Sequence, residues 1–166
     1  MRTYQAMEDP LSRIRSFPKN PLHDVSSVRG NVSDEQKQLN LNTLYYFTHG
    51  GFGNEGVRGL RLVEANVHPV RIGGDGGRVQ GETVCEIEVS EAMLNRFGTV
   101  AGACVVHLLD ITTFSALHAH GLKLGADFTG VSCAMDIQWH YPARRYASFP
   151  QLVQALSSLI LDGIAA

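Results

Sequence analysis

"MLNRFGTVAGACVVHLLDITT", residues 93–113, is the stretch on which the reading of this chain turns. From 101 to 120 the sequence predicts a long helix. Its Val105, Val106, Leu108, Leu109, Ile111, Phe114 and Leu117 cover more than one face, the pattern of a buried helix at the centre of a core. Into that run falls one carboxylate, Asp110. An ionised carboxylate among apolar side chains is costly unless it is paired, hydrogen-bonded or close to water. Two readings follow: a hydrated residue at the helix edge, or a reactive group. Gly102 stands at the helix start, where free amides and the helix dipole favour negative charge. Eight residues separate it from Asp110, about 80° of net rotation and roughly 12 Å of rise. The two lie on neighbouring faces, too far apart to touch one small group. If both act on it, they come from different copies of the helix, which predicts a dimer.

The flanking sequence supplies the sheet. "SDEQKQLNLNTLYYF", from residue 33, starts as a helix. Ser33 is placed to cap the free amides, Gln36 stands at the reciprocal capping-box position, and Asp34 and Glu35 suit the positive end of the dipole. This helix is expected to end before "HGGFGNEG" (49–56). "RGLRLVEANVHPV" (58–70) and "RVQGETVCEIEVS" (78–90) read as strands, the second alternating Cys85, Ile87 and Val89 against Val84, Glu86 and Glu88. "GGDGG" (73–77) between them supplies the positive-φ residues of a hairpin, so an antiparallel pair is expected. "GVSCAMDIQWHYPA" (130–143) reads as a third strand ended by Pro142. In "FPQLVQALSSLILDGIAA" the helical spacing of Leu152, Val153, Leu156, Leu159 and Ile160 predicts an amphipathic helix, with Pro150 near its first turn. The whole is an α+β domain, an antiparallel sheet packed on one main helix. Residues 1–32, rich in proline and scattered charge, read as an extended or disordered lead-in. The domain then runs over 33–143, and 144–166 is a divergent helical tail.

Composition excludes several classes. The chain has 166 residues, 44% hydrophobic and 18% charged, a soluble globular balance. A net charge of −2, a pI near 6.4 and the absence of a basic stripe argue against nucleic acid. Cys85, Cys104 and Cys133 are odd in number and sit in apolar stretches, reading as reduced core residues of an intracellular protein. No wholly apolar run reaches the roughly 18 residues of a membrane span, and no signal-peptide core stands near Met1. The expected location is the cytoplasm. Arg2, Arg13 and Arg15 offer a mitochondrial alternative that Glu8 and Asp9 oppose.

Four stretches in order, "LRLVEANVHP", "GETVCEIEVSEAMLNRFGTVAGA", the Asp110 helix and "GVSCAMDIQWHYPA", resemble the hotdog-fold acyl-CoA thioesterases. The likeness is to the PaaI-like branch with its acyl-CoA thioesterase 13-type proteins, over roughly half the chain. The family pattern is Asn-x-x-Gly-Thr-x-His-Gly-Gly, followed by an Asp eight residues after the first Gly of His-Gly-Gly. The resemblance implies a hotdog fold, an antiparallel sheet wrapped on a long central helix, incomplete here at its C-terminus. It implies hydrolysis of acyl-CoA thioesters at a homodimer or dimer-of-dimers interface, with neither cofactor nor metal. Asn95 and the Gly102 amide would hold the developing oxyanion. Asp110, from the other subunit, would be nucleophile or base, and Ser132 would position the water or the carboxylate. Thr99, Ala101 and Ala103 would lie against substrate. Arg144 and Arg145 read either as a solvated loop pair or as contacts to the phosphates of coenzyme A. An oxyanion donor at a helix start is pre-oriented, and a carboxylate in apolar surroundings is the stronger base. Two departures stand out. The family's His is Ala101 and its second Gly is Ala103, and about two further family strands after Ala143 are replaced by the tail. The alternative function is therefore a catalytically impaired hotdog module that binds acyl-CoA or a protein partner.

Other signals take plainer readings. Neither "HGGFGNEG" nor "GGDGG" ends in the Gly-Lys-Ser/Thr of a phosphate loop, and the first lacks the preceding strand of a dinucleotide site. His118 and His120, with His107, read as helix-end charge complementation and surface hydration in preference to a metal site. Trp139 and Tyr141 read as packing residues.

Overall fold

The computed structural model describes residues 9–69, 79–143 and 152–160. The expected "GGDGG" turn, the first eight residues, Arg144 and both ends of the tail lie outside them. In chain order the elements are α1 (Ser12–Arg15), α2 (Asp34–Thr48), α3 (Asn54–Val57), β1 (Arg61–Pro69), β2 (Val79–Glu88), α4 (Gly102–Leu124) and β3 (Leu152–Ile160). The sheet is antiparallel throughout, in the order β1-β2-β3, and α4 packs across it in a mixed α+β architecture.

Local chemistry sets the helix ends. The Ser33 hydroxyl accepts from the Gln36 amide while the Gln36 side chain accepts from the Ser33 amide, the reciprocal cap expected from sequence. Gln36 also donates through Nε2 to the Leu122 carbonyl at 3.1 Å, tying the start of α2 to the end of α4. α4 ends where Gly125 turns left-handed at φ 68°, and the Ala126 amide closes back on the Gly121 carbonyl at 2.9 Å.

β1 and β2 pair with Leu62 opposite Cys85 and Val67 opposite Gly81, with Val63 bulged between. Gly81, Thr83, Cys85 and Ile87 of β2 are buried, and α4 lies against this strand. The approach is closest at Gly81. A Cβ there would stand 2.5 Å from the Ala116 carbonyl oxygen of α4, so only glycine admits the helix.

Four expectations are corrected. Residues 9–32 are ordered: Leu11 and Ile14 are buried with Leu39 and Leu122, and Arg29 exchanges backbone hydrogen bonds with Val63 and Ala65. Asn31 continues this strap, its side chain bonding the amide and carbonyl of Val67 at 2.9 and 3.0 Å and so covering the edge of β1. Next, 130–143 contains no strand. Among the described residues its backbone joins no sheet ladder, its Ala143 carbonyl accepting from the Val100 amide at 2.8 Å, and Trp139 and Tyr141 are exposed instead of packed. Third, 152–160 is strand β3, not a helix, because the open edge of β2 offers its backbone a full ladder from Gln80↔Ile160 to Glu88↔Leu152. Last, His118 and His120 are buried, not hydrated at the surface.

α4 is also less enclosed than expected. Of the seven apolar side chains that predicted a buried helix, Leu108 and Ile111 are fully buried, while Val106 is 37% exposed. At 23 residues and mean hydropathy 1.2 it is long and apolar enough to cross a membrane by length and composition, which the absence of an unbroken apolar run had hidden. In this fold it packs on the sheet.

Candidate active site

Asp110 lies on the side of α4 turned away from the sheet and is half-buried. The same outward strip holds Ala103, Val106 and Thr113, all exposed, and Leu117, half-buried. The chain between α4 and residue 143 passes beside it without regular structure. From this segment the Ser132 hydroxyl donates to Asp110 Oδ1. One carboxylate oxygen is thereby held, and Asp110 lines a recess together with Phe114, Leu117 and Val131. Asp110 is thus neither buried in the core nor without a side-chain partner.

The other expected residues gather at the start of α4. Asn95 opens a tight loop, where its Oδ1 accepts from the Phe97 and Thr99 amides at 2.8 and 3.3 Å. Its Nδ2 donates to Thr99 Oγ1 at 2.8 Å, leaving one amide hydrogen. Asn95 and Thr99 therefore hold each other, the role of a turn organiser. Antiparallel pairing of Leu94 with Val100, and the Ala101 amide bonded to the Met93 carbonyl at 2.8 Å, seat this loop against the helix start. Ala101 is the N-cap and brings no side-chain acceptor. The first intrahelical bond there joins the Val105 amide to the Ala101 carbonyl, so the amides of Gly102, Ala103 and Cys104 precede the helical ladder. Of these three residues Gly102 lines a recess of about 640 Å³ walled by Trp139, Tyr141 and Pro142. The Trp139 ring would stand 3.7 Å from a Cβ on Gly102.

The expected residues thus fall into two groups. Asp110 and Ser132 make one; Asn95, Thr99 and Gly102, with Ala101 and Ala103, make the other. One continuous helix holds them roughly 12 Å apart.

Sequence reasoning missed Phe47 and Phe114, which stand edge-to-face at 5.2 Å beside Asp110. Phe114 follows Asp110 by four residues, a helical neighbour that was readable. Phe47, at the end of α2, carried no signal. His107, one turn before Asp110, lies under the glycine-rich loop with its buried Nε2 unpartnered. His118 reaches Thr43 of α2 and His120 lies against Phe128, so the three histidines diverge. Among the described residues no group of three or more His, Cys, Asp or Glu converges as metal ligands would. Burial pushes the Cys85 thiol up to about 12 and also raises that of Cys104, leaving both poor nucleophiles. No known protein family, curated protein or solved structure matches the chain.

Proposed function

We propose that this protein is a homodimeric acyl-CoA thioester hydrolase of the hotdog, PaaI-like type. The observation that carries the reading is the row Gly102, Val106, Asp110 along one side of α4, exposed at Gly102 and Val106 and half-buried at Asp110. Val106 lies midway between the other two, both in rotation (about 40° from each) and in rise. If two copies of α4 cross antiparallel about a twofold axis at Val106, Asp110 of each faces Gly102 of the other. One axis then completes two identical sites. Small or short side chains at 102, 103 and 113 suit such a close approach.

In that arrangement the thioester carbonyl oxygen points at the Gly102 amide and the remaining Asn95 amide hydrogen. Asp110, held by Ser132, takes a proton from water as the water oxygen attacks the carbonyl carbon. The tetrahedral intermediate collapses, the carbon–sulfur bond breaks, and coenzyme A leaves as thiolate, which then takes up a proton. The products are a free acid and a thiol.

The test is thiol release from a panel of acyl-CoA esters by the full chain and its Asp110→Asn variant. General-base catalysis is worth about 10²–10⁴-fold, so the variant should lose that much kcat. Equal rates above background would refute the assignment. A second reading, an impaired module that binds acyl-CoA without turnover, is favoured by Ala101, which leaves the helix start without the family's imidazole. Ala101→His separates the two: a gain in turnover with unchanged self-association indicates an impaired enzyme, and tight acyl-CoA binding with no gain indicates the binding module.

A further inference from the structure

Two adjoining recesses of about 290 and 310 Å³ meet at Asp110. They share Asp110, Phe114, Gly130, Val131 and Ser132, and Asp110 is the one charged side chain among the described residues that line them. Their size is at the small end for ligand cavities, about 300–1,000 Å³. Chemically they are divided. Asp110, Ser132 and Thr113 bring the polar side chains, and Phe114, Leu117, Val131 and Met135 bring apolar wall. A ligand that fits has a polar reacting head and an apolar tail.

Phe47 and Ile111 line the second recess and not the first. Phe47 is braced as well as placed: its ring meets Phe114 edge-on at 5.2 Å, Tyr46 at 5.4 Å and Phe17 at 6.2 Å. Phe17, from the strap ahead of α2, stacks in turn on Tyr46 at 4.5 Å with 13° between planes. Phe47 is 38% exposed, and a ring that meets three others resists displacement because moving it costs several aromatic contacts at once.

We propose that Phe47 is a specificity-determining residue that sets the maximum acyl length beside Asp110, the substrates being thioesters of short apolar acids. The identity of the head group rests on the hydrolase reading above; the position of the wall does not. Lengthening the tail should strengthen binding about fourfold per methylene until the chain end meets Phe47, and should then stop doing so.

The experiment is calorimetric titration of the full chain with non-hydrolysable thioether analogues of acyl-CoA carrying two to sixteen carbons. Wild type should show a limiting length; Phe47→Ala should move it to longer chains and Phe47→Trp to shorter ones. Opposite shifts cannot come from unfolding. The same limit in all three proteins, or no binding of any analogue to wild type, overturns the proposal. Asp110-dependent turnover with an unmoved limit sinks the length rule and leaves the hydrolase. A limit that moves as described without turnover does the reverse.

Discussion

The two sides of α4 are built on opposite terms. On the side that meets the sheet and α2, Asn40, Thr43, Ser115 and His118 are matched with one another, while Thr83 Oγ1 and His120 Nδ1 are buried without a hydrogen-bond partner among the described residues. The Ser115 hydroxyl donates to Asn40 Oδ1 at 2.9 Å, and Asn40 Nδ2 returns a bond to the Ser115 carbonyl at 3.1 Å. Thr43 gives its hydroxyl hydrogen to the Leu39 carbonyl, so it can only accept from His118, 3.1 Å away, which fixes the proton on Nε2. On the outward side Asp110 has one partner, drawn from a segment without regular structure, and Val106 and Thr113 have no cover. The inner side specifies a fold that one chain completes. The outer side pairs polar chemistry with unfilled apolar surface, which is what a site awaiting a ligand or a second copy requires.

Changes on the inner side should therefore act on stability, and Gly81→Ala should act most strongly. The new methyl would meet the Ala116 carbonyl at 2.5 Å and the His120 Cβ at 3.0 Å, and backbone cannot rotate away as a side chain can. The expected loss is about 3 kcal/mol or more, the upper range for overpacking. Urea denaturation measures it, and a loss under about 1 kcal/mol would mean the helix and sheet are not held at this spacing.

The second effect is of similar size but confined to acid. Burial lowers the pKa of His118 to about 4, with the charge of Asp127 opposing the shift. The folded protein thus holds a neutral imidazole while the unfolded chain protonates near 6.5, so the unfolded state binds the extra proton between those values. Stability is complete above pH 6.5 and is lost as pH falls toward 4, by about 3 kcal/mol in all. Burial lowers His120 in the same sense. Denaturation at intervals from pH 7 to 4 should show this slope, and His118→Gln, which keeps a donor for Thr43, should flatten most of it. An unchanged slope would place the acid sensitivity elsewhere.

The same contrast explains what the sequence disclosed. α2 was legible to its cap because Ser33 and Gln36 act over four residues, and the β1–β2 pair was legible because period-2 burial is local. The tail was not. Leu152, Val153, Leu156, Leu159 and Ile160 satisfy a helical repeat, yet the open edge of β2 offers nine backbone pairings that no local pattern announces. In 130–143 the error ran the other way. Apolar residues alternate at 131, 133, 135, 137, 139 and 141, but alternation makes a strand only where a neighbour accepts its hydrogen bonds, and none of the described residues forms a ladder there. Asp110 and Ser132 come together across 22 residues, a contact that only the implied family role suggested. Phe47 was invisible because a wall is defined by what stands opposite it.

The smallest effect on the single chain, and the sharpest separation of the two sides, is expected at Val106. Its side chain is 37% exposed, so an arginine there need displace nothing in the fold, and the isolated chain should change by no more than about 0.5 kcal/mol. If two copies meet at Val106, however, the arginine sets two like charges face to face on the axis. Dimerisation stabilises by mass action, so the wild-type melting temperature should rise with protein concentration, and that of Val106→Arg should not. Light scattering should give the mass of a dimer for the first and of one chain for the second, while the far-ultraviolet spectra coincide. A concentration-independent wild type would remove the second copy from the argument and, with it, any means of bringing Gly102 to Asp110. A variant that unfolds outright would show that the outward side of α4 serves the monomer's core after all, and that the division between its two faces is false.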